Sequence, residues 1–174
     1  MDLLTFVYWT GDIARDFAES LGSAARRGVR TRVLLDRVGA RRIDSDLVEV
    51  MLEAGCDVQW FLPADGDAPL ADAAHRTHRK VLECDNEVVF TGGVGIAEEW
   101  TGNARNPGEW RDTHFRVRGP AVDGLRSAFL RDWIESATPS SSLEWMISAP
   151  WSQSGDPRSR CCGTRTRADA ALPH

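Results

Sequence analysis

Strand-like runs alternating with helix-period stretches constrain this chain more than any other feature. Leu3 to Trp9, Val29 to Asp36 and Asp57 to Phe61 read as strands. Between the first two, Thr10-Gly11-Asp12 opens a helix. Ile13, Phe17, Leu21 and Ala24 then recur at helical spacing until Gly28 ends it. Between the second and third, Leu47, Val48, Met51 and Leu52 share one helix face. Asp44 or Ser45 is the expected cap, and Gly55 the stop. Strand, helix, strand, helix, strand is the order of a parallel sheet with right-handed crossovers, so the fold class is α/β.

After Phe61 the rhythm changes. Residues 62–77 are rich in Pro, Gly, Asp and Ala and predict a loop. Arg79 to Cys84 and Glu87 to Thr91 predict two short strands with a tight turn at Asp85-Asn86. Trp110 to Arg118 predicts another strand. After Gly119-Pro120, a helix is expected on Val122, Leu125, Phe129, Leu130, Trp133 and Ile134. Residues 139–174 scatter Ser and Pro with no sustained apolar period, which predicts a poorly ordered tail after a lobe at 1–138.

Composition excludes several classes. The 174 residues suit one domain, or one domain and a tail. A net charge of −5 argues against a protein that coats nucleic acid. Four cysteines without a CxxC pair predict neither a disulfide framework nor a zinc site. No apolar run approaches membrane-spanning length, and the N-terminus has no basic flank or cleavage site. The expected location is the cytoplasm, or peripherally the cytoplasmic face of a membrane. Arg occurs 20 times and Lys once, at Lys80. A lone Lys among so many Arg is a candidate for a place that needs a compact ammonium.

His78 and Lys80 stand two apart, which on a strand puts them on one face. An imidazole beside an ammonium suits a phosphate. The ring can attack or shuttle a proton, and the amine neutralises anionic oxygens and keeps the ring neutral. Gly92, Gly93 and Gly95 follow, where backbone N–H groups are expected to approach the same anion unhindered.

The segment HRTHRKVLECDNEVVFTGGVGIAEEW resembles the HxKxxxxD signature of the phospholipase D superfamily. With FVYWTGDIARDFAESL, GVRTRVLLD and EWRDTHFRVRGPAV, the chain is similar to the N-terminal catalytic half of bacterial cardiolipin synthases over roughly residues 2–135. The resemblance implies a phospholipase D-like lobe, a mixed β-sheet flanked by helices. It also implies a phosphatidyltransferase that uses no metal and no cofactor. In it, His78 is the nucleophile that forms a phosphohistidine, Lys80 binds the phosphate oxygens and Asp85 supports the motif. Gly93 and Gly95 stand where family members often carry Ser and Asn. Asp112 lies near the position of an acid that orients the nucleophile, and a strand-edge salt bridge is its other reading. His114 is expected on the same strand face as Asp112, as a supporting residue. Asp85 has a second reading as a hairpin-turn residue.

The implied substrate is an anionic phospholipid of the phosphatidylglycerol type, and the implied partner is a second phospholipase D-like lobe or a second copy. Only one HxKxxxxD occurs here, because neither His75 nor His114 has a Lys two residues on. Two alternatives therefore stand beside the transferase. One is a single-motif phosphodiesterase or nuclease acting as a homodimer. The other is a non-catalytic, truncated fragment. Net negative charge counts against nucleic acid as a partner.

Overall fold

A computed structural model describes residues 1–61 and 76–137. The expected tail at 139–174 and most of the expected 62–77 loop lie outside the described residues. The described residues form six strands and three α-helices: β1 (Asp2–Thr5), α1 (Asp12–Arg26), β2 (Arg32–Asp36), α2 (Ser45–Glu53), β3 (Asp57–Phe61), β4 (Lys80–Cys84), β5 (Val88–Gly92), β6 (His114–Arg118) and α3 (Ala121–Ala137). The sheet order is β3-β2-β1-β4-β5-β6. β1, β2 and β3 run parallel, as the alternating pattern requires. β4 enters antiparallel beside β1, and β5 and β6 continue antiparallel, so the sheet is mixed.

The strand alternation sorts side chains to two cores. Leu3, Val33 and Leu35 face α1 and α2 with Ala14, Ala18, Leu21 and Met51. Leu4, Leu34, Val81 and Val89 face α3 with Val122, Phe129 and Trp133. α3 carries its apolar residues at helical spacing, as expected, except that Ile134 is 64% exposed on the outer side. No helix among the described residues is long and apolar enough to cross a membrane.

Three local expectations change. The first strand stops at Thr5, not Trp9. The Thr5 hydroxyl donates to the Val7 carbonyl at 2.9 Å, and Tyr8 instead bridges to Ile96. Asp44 does stand at the start of α2, but its side chain makes no capping hydrogen bond. The strand expected from Trp110 begins only at His114. Trp110 packs against Trp9 and Trp100, and its amide donates to the Glu99 carbonyl at 2.6 Å. That holds Trp110 against the 3-10 turn Glu98–Trp100 rather than in the sheet. Glu98 also reaches the start of α1, where its Oε1 accepts from the Ile13 amide at 3.1 Å. A carboxylate there offsets the unpaired amides of the first turn.

Candidate active site

One end of the sheet gathers the C-terminal ends of β1, β2 and β5 and the N-terminal ends of β4 and β6. His78 precedes β4 and is exposed. Lys80 opens β4 and is only 7% exposed. Lys80 Nζ lies 3.3 Å from His78 Nε2 and donates to the His78 carbonyl at 3.2 Å. Phe6 closes the group from below, its ring edge-on to His78 at 4.6 Å and 5.3 Å from Nζ.

An ammonium can only donate, so the ring nitrogen facing it carries a lone pair. That assigns the His78 proton to Nδ1 and leaves Nε2 unprotonated. Loss of water around the ring, and then the Lys80 charge, push the His78 pKa below its ordinary value, against the opposing pull of Asp36. Burial likewise lowers the Lys80 pKa, against Asp112 and Asp36. Among the described residues Lys80 forms no ion pair. A buried cation whose close partners are both neutral leaves room for an anion.

Two buried carboxylates outside the signature fix the segment around His78. Asp36, at the end of β2, accepts from the amides of Val38 and Gly39 through Oδ1, and from the Thr77 amide through Oδ2 at 3.0 Å. Asp132, on the apolar face of α3 and 1% exposed, accepts from the Thr77 hydroxyl at 2.7 Å and from Arg79 at 2.5 and 2.7 Å. The residues on either side of His78 are thereby clamped. Sequence reading missed both acids, though each left a signal. Asp36 ends an apolar strand, and Asp132 interrupts the apolar stripe between Phe129 and Trp133.

The other expected site residues separate into near and far. His114 opens β6, paired with Gly92, and its pKa is lowered by partial desolvation against the pull of Asp112. Asp112 lies before β6, not on it, and its Oδ1 accepts from the Thr113 amide at 2.6 Å. Its carboxylate occupies the space where a Cβ on Gly93 would sit, so a side chain at 93 would displace it. The Gly93 amide donates to the Thr113 carbonyl at 3.1 Å, and so is engaged by the segment before β6 rather than aimed at an anion. Gly95 is buried, and a Cβ there would press on Val7 and Trp100 at 2.9 to 3.1 Å. Asp85 is exposed in the β4–β5 turn, at the opposite end of β4 from Lys80, roughly 15 Å away by strand rise. Among the described residues no cluster of His, Cys, Asp or Glu is arranged to hold a metal ion.

Comparison with known proteins bears on this geometry. Residues 2–107 match the family described as cardiolipin synthase, PLD-like domain. Cardiolipin synthase 1 of Bacillus anthracis is 30% identical over 140 residues, which is 80% of this chain and 28% of that protein. The cardiolipin synthase of Alkalihalophilus pseudofirmus is 37% identical over 122 residues, 70% of this chain and 24% of the relative. The match thus spans 24 to 28% of the length of these relatives. Among solved structures, the phospholipase D family member Nuc from Salmonella typhimurium aligns with a TM-score of 0.53 at 14% identity, over 76% of each chain. NucT from Helicobacter pylori aligns at 0.52 and 15%, over 78% of each. At such identities these two speak for the fold alone.

Proposed function

The chain belongs to the family of cardiolipin synthase PLD-like domains, and from that premise we propose that it serves phosphatidyl transfer, with His78 as nucleophile and Lys80 as the ligand of the phosphate. The observation that carries this is the pair itself: an exposed, neutral imidazole 3.3 Å from a buried ammonium without an ion pair among the described residues. In the resting pair, the Nε2 lone pair faces the ammonium. A bound diester offers Lys80 two non-bridging oxygens, which take over its protons and release the lone pair for attack.

Nε2 then forms a bond to phosphorus as the bond to the departing headgroup oxygen breaks. That oxygen takes a proton from an acid on the opposite side. The acceptor hydroxyl later gives a proton back to the same group and attacks phosphorus, which frees His78. The acid belongs to a second lobe of the same family, in a longer polypeptide or a second copy. Lys80 supplies the charge stabilisation, so no step requires a metal.

The test is to incubate the chain with phosphatidylglycerol vesicles, quench, and map adducts by mass spectrometry. An acid-labile phosphatidyl adduct on His78, absent in His78→Asn, is expected. An adduct that persists in His78→Asn refutes the assignment.

A further inference from the structure

The two faces of the sheet are covered unequally. α3 lies across one face, while α1 and α2 cover the other mainly over β1 to β3. What remains under the edge of α1 is a cavity of about 520 Å³. Leu3, Leu82 and Phe90 of the sheet form its floor, and Ile13 and Phe17 of α1 its roof. Lys80 and His114 stand in its wall, so it begins at the proposed phosphate site.

We infer that this cavity takes a hydrocarbon chain of the substrate, held by its phosphate at Lys80. The inference rests on the phosphate reading of His78 and Lys80 and adds the place of the apolar part. Position argues for it: Lys80 lines the cavity, so a phosphate whose non-bridging oxygens it holds carries its ester carbons beside the apolar wall. Chemistry argues for it as well. Against Leu3, Leu82 and Phe90, the sugar and next phosphate of a nucleotide would lose water with almost nothing to replace it, whereas methylenes gain from the same burial. The size falls within the range of small-ligand pockets.

The experiment titrates the full chain with inorganic phosphate and with butyl, hexyl and octyl phosphate below their micelle concentrations. Trp100, in the cavity wall, serves as fluorescent reporter alongside calorimetry. Affinity should rise by up to about fourfold per added methylene, on the order of a hundredfold from butyl to octyl. In Val94→Trp, which narrows the cavity, that dependence should vanish while inorganic phosphate binds as before. A diazirine-tagged octyl phosphate should mark Phe17, Leu82 or Phe90 in the unaltered chain, which decides the matter even if the variant does not fold. Equal affinities for butyl and octyl phosphate, with inorganic phosphate still bound, overturn the cavity proposal and leave the phosphate site standing. Marks confined to other residues overturn it too, as does a sedimenting dimer in which a second copy excludes the tag. No binding of any probe, inorganic phosphate included, overturns the phosphate reading and this inference together.

Discussion

Arg32 and Lys80 are both buried cations of one sheet, at 9% and 7% exposure, and they are held in opposite ways. Arg32 makes two bonds to Asp2, at 2.8 and 2.6 Å, and its guanidinium lies over the rings of Phe129 and Trp133 at 5.0 and 5.4 Å. Lys80 has a ring nitrogen and a backbone carbonyl. Neutralised where it sits, the first charge serves the fold. The second forms no ion pair among the described residues, and Asp112 and Asp36 act on it only from a distance, so its donors are available to a ligand. The difference also explains the residue types, because a planar fork suits a carboxylate and a compact ammonium suits the edge of an imidazole.

The comparison breaks most visibly in stability. Arg32→Met leaves Asp2 buried without its partner and should cost about 3–5 kcal/mol in urea unfolding. Lys80→Met should cost nothing or stabilise. The sign follows from linkage. A folded pKa below the unfolded value means the folded state binds the proton less tightly, so carrying the charge at neutral pH opposes folding, and that penalty fades as pH rises through the lowered folded pKa and is gone above the unfolded value of 10.5. Equal losses in the two variants would erase the distinction.

Binding should reverse the ranking. Lys80→Met is expected to weaken alkyl phosphate binding by about ten- to a hundredfold, in line with loss of a hydrogen bond between charged groups. Arg32→Lys, if folded, should bind as the parent does. Phosphate affinity retained in Lys80→Met would move the anion site elsewhere.

Asp132→Asn sharpens the contrast from a third direction, since Asp132 is a buried carboxylate paired for the sake of a neighbouring segment. It should lose about 1–3 kcal/mol of stability, the range for a hydrogen bond to a charged group or an unsatisfied donor. It should also slow His78 adduct formation without changing phosphate affinity. A purely structural role would leave the rate per folded molecule untouched.

The smallest effect expected is in pH dependence. Because the His78 pKa is lowered, the ring is already neutral at pH 7. The acid-side decline of adduct formation, which reports protonation of His78, should come only below the ordinary value of 6.5, while a fall toward high pH reports the opposing acid. Removing the Lys80 charge should shift that decline toward higher pH. A profile unmoved in Lys80→Met would mean that the ammonium does not act on the ring.

In the candidate site, the meeting of His78 and Lys80 was legible from spacing alone. A His and a Lys two apart at the head of a strand come together because neighbours share a strand face at that interval, and the structure puts them 3.3 Å apart. The clamp was not legible, because Thr77 meets Asp36 and Asp132 across 41 and 55 residues. Periodicity marks Asp132 as odd on its helix but cannot say what it faces. The glycine segment hid its neighbour for a similar reason. Its openness fits an anion, yet at Gly93 the space is taken by Asp112, whose approach is set by the β5–β6 register. The β-α-β-α-β half was legible in order and class, and its first strand was too long by four residues because a side-chain hydroxyl, not a break in hydrophobicity, ends it.

The β4–β5 turn has a consequence for the signature as a whole. Asp85 and Asn86 both have φ 58, a left-handed conformation that few residues besides Gly, Asn and Asp adopt readily, and the turn closes with the Glu87 amide on the Cys84 carbonyl at 3.1 Å. Such a turn sets the phase of the strand before it. A slip of one residue would rotate Lys80 to the α3 side and bring Val81 beside His78. The interval of four residues between Lys80 and Asp85 is thus a ruler as much as a spacing: the far end of the hairpin determines which side chain arrives at the imidazole.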